Sequence, residues 1–220
     1  RPDRWNKCLS NFKKYEVDHK AERFSACKPN IPNVSNKFNA RAGCALSHFM
    51  IAKQAKQLNL KNYLVLEDDF LFCEDPKKTK LHLSKSLSDL PEYWDLLYLG
   101  SNLDNSYGSF PIAPFSDNLF RINSTHTTHA MAFNSSFIEK MSNEIDKEQD
   151  IYNWVNQNEA IDIYLCKNVL RYINAFTTNP MLILQDESFS DIEGRVFNYY
   201  NWMMHNFNRF KNQLELMQCQ

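Results

Sequence analysis

Three adjacent acids follow a short apolar run: residues 64–66 (Leu-Val-Leu) lead directly into Glu67, Asp68 and Asp69. Adjacent carboxylates repel one another unless a cation or water screens them. The run is typical of a buried strand, and open α/β sheets gather ligands beyond the carboxyl ends of their strands. Because Mg2+ and Mn2+ prefer carboxylate oxygens and often bridge them to a diphosphate, the triplet predicts a metal–diphosphate site rather than a solvated acidic turn.

Other ways of holding phosphate fit the sequence less well. The chain has four glycines: Gly43, Gly100, Gly108 and Gly194. No two of them are close enough in sequence to form a dinucleotide-binding turn or a Walker A loop. A phosphatase of the haloacid dehalogenase type needs Asp-x-Asp-x-Thr, whereas this run begins with Glu67 and has no threonine at the required place. A response-regulator receiver carries its nucleophilic aspartate on another strand. A bound metal is therefore the favoured means of holding a diphosphate.

Length and charge narrow the class of protein. The chain has 220 residues and a net charge of −1, which favours one domain over residues 1–220 and excludes a typical nucleic-acid-binding protein. No apolar run approaches the roughly 18 residues needed to cross a bilayer. The chain starts at Arg1 without a methionine, and a strand before it would complete the first βα unit. We therefore expect that a first strand is missing before residue 1.

The six cysteines predict neither a zinc finger nor a disulfide framework. No two of them form a CxxC pair, which argues against a structural zinc site. Cys44 and Cys166 fall inside apolar helical patterns, where a buried free thiol is the commoner state. Reduced thiols are therefore predicted.

Alternating strand and helix signals predict an α/β fold with a mostly parallel sheet flanked by helices. The predicted helices are 5–15, 42–58, 79–90, 135–145 (capped by Ser135 or Ser136), 159–170 and 196–217. The predicted strands are 63–66, 94–99, 119–122, 129–133 and 181–184, and residues 101–118 form a long irregular segment. Core packing is favoured for the aromatic C-terminal helix (195–218), with a peripheral membrane contact left open.

A series of landmarks along the chain resembles glycosyltransferase family 25, which includes lipooligosaccharide-type galactosyl- and glucosyltransferases and collagen β-galactosyltransferases. The landmarks span nearly the whole chain: residues 1–5 (RPDRW), 22–26 (ERFSA), 43–48 (GCALSH), 64–69 (LVLEDD), 94–100 (WDLLYLG), 128–130 (THA), 161–162 (ID) and the late Pro180, Gln185 and 190–191 (SD). Each landmark alone is weak, but their order is fairly specific to the family.

The resemblance implies a GT-A-type fold that binds a nucleotide sugar, usually UDP-linked, through Mn2+ or Mg2+. It implies an inverting transfer of galactose or glucose to a hydroxyl of a glycan, a lipid-linked glycan or a protein. The implied location is cytoplasmic or membrane-peripheral, with a secretory compartment not excluded. The alternative function is that of a non-catalytic relative that binds carbohydrate or acts as a scaffold, which the intact acidic triplet disfavours.

The resemblance also assigns roles to residues. Asp69 is the first choice for the metal, together with Glu67, and a catalytic base is expected at Asp162 or Asp191. Gly43, Ser47 and His48 are expected near a helix N-terminus, where backbone N–H groups favour anions. The donor-binding set is Arg1, Arg4, Gly43, Ser47, His48, Glu67, Asp68, His129 and Gln185. For His126, a structural role is the favoured interpretation.

Overall fold

The computed structural model describes residues 2–108, 110–190 and 194–218 of the chain. Arg1 and Asp191 lie outside the described residues. The α-helices in the described part are α1 (Pro2–Lys14), α2 (Asn36–Gln57), α3 (Pro76–Asp89), α4 (Ser135–Ser142), α5 (Ile151–Asn158), α6 (Ile161–Tyr164) and α7 (Tyr199–Gln218). Short 3-10 helices cover Asp18–Lys20, Glu148–Asp150 and Leu170–Tyr172, and a π-helix covers Leu165–Val169.

The strands are short, and most have two to four residues. They are β1 (Asn62–Leu66), β2 (Phe70–Phe72), β3 (Leu96–Tyr98), β4 (Asn102–Leu103), β5 (Ile112–Pro114), β6 (Leu119–Ile122), β7 (Thr125–His126), β8 (Ala130–Asn134), β9 (Ala175–Thr178), β10 (Ile183–Gln185), β11 (Ser188–Ser190) and β12 (Arg195–Phe197).

The central sheet has six described strands in the order β1-β8-β3-β9-β6-β5. β3 and β9 run parallel, and every other neighbouring pair in this sheet is antiparallel. The mixed α/β class is therefore confirmed, but the prediction of a mostly parallel sheet is wrong. The remaining strands form two-stranded ribbons: β2 with β10, β4 with β7 and β11 with β12.

Burial on both faces explains why apolar runs did not reveal strand direction. In β3, Leu96 and Tyr98 pack into one hydrophobic cluster, and Leu97 packs into a second cluster on the opposite face. Buried residues of α2 and α4–α7 belong to the first cluster, and those of α1 belong to the second. A strand that is covered on both faces is apolar whatever its direction. The sequence of β3 therefore resembles that of a strand in a parallel sheet. β1 lies at one end of the described sheet, where Leu64 is 45% exposed.

Helix α2 begins at Asn36, before its predicted start at residue 42. Ser35 caps it, because its hydroxyl accepts a hydrogen bond from the backbone N–H of Phe38. Three predicted anion-binding residues therefore lie in the helix interior; they are Gly43, Ser47 and His48. The prediction that they lie near a helix N-terminus is wrong, since backbone N–H groups beyond the first turn are used within the helix.

Two further helices differ from their predictions. Asn134, rather than Ser135 or Ser136, caps α4 with its side-chain oxygen. The helix predicted over 159–170 is divided: α5 ends at Asn158, Glu159 adopts a positive φ of 66°, and a short α-helix, a π-helix and a 3-10 helix follow. Asp162 lies in the first turn of α6, as predicted.

The C-terminal helix α7 packs into the core, which is the role favoured from its sequence. Met203, Phe207 and Phe210 are each at most 4% exposed, whereas Trp202 on another side of the helix is 49% exposed. The strand β12 occupies Arg195–Phe197, so the helix starts later than predicted. Within the described part of the chain, no helix combines the length and apolar character needed to span a membrane.

Gly100 allows the β2–β10 ribbon to close against the end of β3. A Cβ atom at this position would lie 1.6 Å from the carbonyl oxygen of Ile183 and 3.2 Å from Nε2 of His129. Both neighbours are buried, and the carbonyl belongs to the backbone, so neither can move cheaply.

We predict that Gly100→Ala lowers the free energy of unfolding by about 3 kcal/mol or more, because overpacked core sites must shift the backbone. Chemical denaturation monitored by circular dichroism would measure the loss. Gly108→Ala is the matched control, since nothing lies within 4 Å of a Cβ there; its positive φ of 79° should make it a milder defect. Equal losses in the two variants would contradict the packing argument.

Candidate active site

The acidic triplet forms the turn between β1 and β2. The backbone N–H of Phe70 donates to the carbonyl of Glu67 at 3.2 Å, which closes the turn. β2 then leaves the central sheet to pair with β10, where Phe70 is opposite Gln185. The three carboxylates therefore lie at the carboxyl end of β1, as predicted, and a second strand lies beside them.

Asp69 is the most buried acid of this turn. Its side chain is 12% exposed, and its Oδ2 lies 3.6 Å from Nη1 of Arg4. Burial and the negative charge of Glu67 raise the pKa of Asp69 to about 7, against the lowering effects of Arg4 and of a hydrogen bond from Gln185. A buried carboxyl group with too little positive charge around it is suited to bind a cation.

Arg4 links α1 to the acidic turn. Its guanidinium also donates to Oδ1 of Asp68, whose side chain is 46% exposed. The thiol of Cys8, one turn later in α1, lies 3.6 Å from the carbonyl of Asp68. The first helix thus holds a guanidinium against two of the three acids, and the contact of Arg4 with a nucleotide stays a prediction.

Glu67 points toward the core side of the turn. Its Oε1 accepts a hydrogen bond from the hydroxyl of Thr128 at 2.6 Å and lies 3.5 Å from Nε2 of His48. Burial alone would raise the pKa of Glu67, but the contacts with His48 and Thr128 lower it below its usual value. Glu67 is therefore ionised at neutral pH, and it contacts both α2 and the segment just before β8.

His129 organises the backbone behind Glu67. Its ring is fully buried, with Nε2 3.1 Å from the carbonyl of Ile183 and Nδ1 3.1 Å from the hydroxyl of Thr127. Its own carbonyl accepts a hydrogen bond from the N–H of Glu67 at 2.9 Å. Burial lowers the pKa of His129, so the ring is neutral at pH 7. These contacts give His129 a positioning role.

A second polar cluster surrounds His126, three residues before His129 in the chain. His126 stands between two carboxylates: its Nε2 is 3.5 Å from Oδ1 of Asp104, and its Nδ1 is 3.6 Å from Oδ2 of Asp162. The next residue, Thr127, has a positive φ of 72° and donates its N–H to Oδ2 of Asp162 at 3.3 Å. A β-branched residue seldom adopts this conformation, and such strain is concentrated at functional sites.

Charge coupling sets the protonation of this cluster. Burial would raise the pKa of Asp162, but hydrogen bonds from His126, Thr127 and Ile163 lower it. Burial would lower the pKa of His126, but Asp162 and Asp104 raise it. At neutral pH, Asp162 is thus a carboxylate able to accept a proton, with an imidazole beside it.

We predict a pH-dependent contribution of His126 to stability. Because its folded-state pKa is raised, the contribution is complete below the usual value of 6.5 and is lost as the pH rises through the raised value. At low pH, the stabilising contribution of His126 is lost as the pH falls through the lowered pKa of Asp162, because a protonated Asp162 no longer carries a negative charge.

His126→Gln should therefore destabilise the protein by about 1 kcal/mol at pH 6 and by less at pH 9. Urea unfolding at both pH values would measure the difference. His19→Gln, in the short 3-10 helix near the start of the chain, is the control. A loss that does not change with pH would show that His126 acts through packing alone.

Gly43 and Ser47 pack α2 against the backbone of the loop at Cys27. A Cβ atom at Gly43 would lie 2.7 Å from the carbonyl of Cys27. The hydroxyl of Ser47 donates to the carbonyl of Gly43 at 2.6 Å and accepts from the N–H of Cys27 at 2.9 Å. The pair therefore binds the chain near residue 27, and a direct contact with a donor stays a prediction.

Sequence reasoning did not identify three of the residues that build these clusters. They are Asp104, Thr128 and, as a partner of Asp162, His126. The irregular segment 101–118 was a weak signal for Asp104, and the landmark 128–130 was one for Thr128. Neither indicated which acid each residue would contact, since those contacts join positions far apart in the chain.

Comparison with known families gives one match. The family described as glycosyltransferase family 25 (LPS biosynthesis protein) matches residues 11–145, which is more than half of the chain. The matched region contains α2, the acidic turn, His126 and His129. A search of curated proteins found no similar sequence.

Proposed function

The chain belongs to glycosyltransferase family 25 and is a glycosyltransferase, and we propose that it transfers a hexose, galactose or glucose, from a UDP-sugar to a hydroxyl group of a glycan. The observation that carries this proposal is the buried acidic turn at the end of β1, with Arg4 against Asp68 and Asp69. A GT-A-type fold is part of the proposal, and it rests on the family resemblance because the central sheet is mostly antiparallel.

The acidic turn fits a hard divalent cation. Asp69 is buried with a pKa raised to about 7, and the ionised Glu67 adjoins it, so the turn is rich in negative charge and oxygen ligands. In this proposal Asp69, assisted by Glu67, holds Mn2+ or Mg2+. When bound, the cation neutralises charge that develops on the leaving diphosphate.

Three other side chains are suited to the donor. Arg4 offers a guanidinium, whose fork of N–H groups matches phosphate oxygens. Asp68 is half-exposed beside it and can accept hydrogen bonds from ribose or hexose hydroxyls. Gln185 donates to Asp69, while its buried Oε1 has no hydrogen-bond partner among the described residues. A sugar hydroxyl would satisfy that oxygen.

Asp162 is our choice for the catalytic base. It is ionised at neutral pH and 27% exposed at its side chain, and His126 and the strained Thr127 fix its position. It would take the proton from the acceptor hydroxyl as the oxygen attacks the anomeric carbon, so the configuration inverts in a single displacement. Asp191, the competing candidate from the family resemblance, remains a prediction.

The acceptor is proposed from the family description. Because that description refers to LPS biosynthesis proteins, we propose a lipid-linked glycan as the acceptor. Exposed Trp202 and Leu216 on α7 would suit a peripheral contact with a membrane surface that carries such a glycan.

Calorimetric titration with UDP, in the presence and absence of Mn2+, tests the donor part of the proposal. We expect binding that requires the metal, followed by transfer or slow hydrolysis with UDP-galactose or UDP-glucose in a panel of UDP-sugars. Absence of UDP binding with either Mn2+ or Mg2+ would reject the proposed donor. Binding without turnover of any sugar in the panel would favour a non-catalytic, carbohydrate-binding role.

A further inference from the structure

We propose that Cys44, His48 and Glu67 form a binding site for Zn2+, which adjoins the Mn2+ or Mg2+ site proposed at Asp69 and shares Glu67 with it. Cys44 and His48 are four residues apart in α2, so they project from the same face of the helix. Glu67 reaches them from the end of β1. The three side chains thus come from two elements that are distant in sequence.

The geometry of the three ligand atoms suits one tetrahedral ion. The thiol, the imidazole nitrogen and the carboxylate oxygen all lie within 4.8 Å of one another. His48 Nε2 and Glu67 Oε1 are 3.5 Å apart, which is long for a hydrogen bond. Two such ligands at ordinary Zn–N and Zn–O distances are about 3.3 Å apart around a tetrahedral ion. Small side-chain movements would therefore complete the site.

The ligand chemistry distinguishes this site from the one at Asp69. A thiolate, an imidazole and a carboxylate together favour Zn2+ over Mg2+ or Mn2+, which prefer oxygen ligands alone. A thiolate and a carboxylate would also balance both charges of Zn2+. The thiol proton would be released to solvent as the metal binds, so binding should weaken at low pH.

His48 is buried next to the other two ligands. Its side chain is 4% exposed. Its Nε2 faces Oε1 of Glu67 at 3.5 Å, so this ring nitrogen is the one placed to bind the ion.

The surroundings already support metal binding. The hydroxyl of Thr128 donates to Oε1 of Glu67 at 2.6 Å, and this orients the carboxylate as an outer-shell partner would. Glu67 is 29% exposed at its side chain, which leaves an approach for the ion and for a water as fourth ligand. Three protein ligands and a water in the fourth position are a known coordination of zinc in proteins.

Cobalt spectroscopy tests the proposal with a readout independent of activity. Metal-free protein titrated with Co2+ should develop a thiolate-to-cobalt absorption band that saturates at one equivalent and that Zn2+ then removes. Cys44→Ser should remove the band and weaken Zn2+ binding at least about 100-fold. Cys73→Ser, at another free cysteine, is the matched control and should retain both.

A second measurement on the wild-type protein removes any dependence on variant folding. Zn2+ should protect Cys44, but not Cys73, from alkylation followed by mass spectrometry. Equal labelling of Cys44 with and without Zn2+, or a cobalt band retained in Cys44→Ser, would overturn the proposal. Metal-dependent UDP binding should survive in Cys44→Ser, so failure of this site and failure of the donor site can be told apart.

Discussion

Asp69→Asn is expected to lower kcat/KM for sugar transfer by about 1,000-fold and to abolish the metal dependence of UDP binding. Asparagine keeps the shape of the side chain but removes the negative charge that would hold the cation. A catalytic cation supplies several kcal/mol of transition-state stabilisation, and each 1.36 kcal/mol is a factor of ten in rate. Calorimetry with UDP and Mn2+, together with a transfer assay, would measure both effects.

The stability of the same variant provides its control. The pKa of Asp69 is raised from 3.8 to about 7, so its ionisation opposes folding: stability is lost as the pH rises between these two values, and the full cost is present above pH 7. Asparagine does not ionise, and the metal-free variant should therefore be at least as stable as the wild type at pH 8. A loss of activity without a loss of stability separates metal binding from misfolding.

Asp68→Asn is the matched comparison within the same turn. Asp68 is 46% exposed, against 12% for Asp69, and its carboxylate is paired with Arg4. We expect a loss of only about tenfold, because exposed charge pairs contribute little. If Asp68→Asn abolished metal dependence while Asp69→Asn retained it, the assignment of the metal ligand would be reversed.

Asp162→Asn is expected to lower kcat by about 1,000-fold while leaving metal-dependent UDP binding unchanged. General-base catalysis contributes about 100-fold to 10,000-fold, and an amide cannot take the acceptor proton. The amide oxygen can still accept the N–H of Thr127, so the local fold should survive. Steady-state kinetics with saturating donor, together with UDP calorimetry, would separate the chemical step from binding.

Glu159→Gln is the control for charge removal near Asp162. Glu159 is an exposed acid directly after α5, and its carboxylate pairs with Lys167 at 2.7 Å. Its replacement should change kcat by less than about threefold. Full activity in Asp162→Asn would exclude Asp162 as the base and would direct the same experiment to Asp191.

Several elements could be predicted because their signals are local. The periodicity of residues 5–15 predicted α1, and the apolar run before Glu67 predicted β1 and the acidic turn at its end. The boundaries of β6 were predicted without error. The start of α2 was missed because residues 36–41 carry little apolar periodicity, and Ser35 supplies the cap.

The direction of the strands could not be predicted in the same way. Both faces of β3 are buried, so its apolar character is the same for either direction, and only its pairing with β8 and β9 decides between them. A strand was predicted at residues 181–184 without a partner, and the structure shows β10 paired with β2 in a separate ribbon. That pairing brings Gln185 to the acidic turn.

The composition, the order of the landmarks and the acidic triplet were enough to place the chain in its family and to indicate a metal–diphosphate chemistry, because these depend on residue types and short spacings. The partners of each acid were decided by the folded chain alone. Asp104, His126 and Asp162 come together across 58 residues, and Cys44 and His48 meet Glu67 across the turn that joins α2 to β1. Hydrogen bonds and charge coupling fall off within a few ångströms, so contacts of this kind are set by tertiary packing and leave little trace in local sequence.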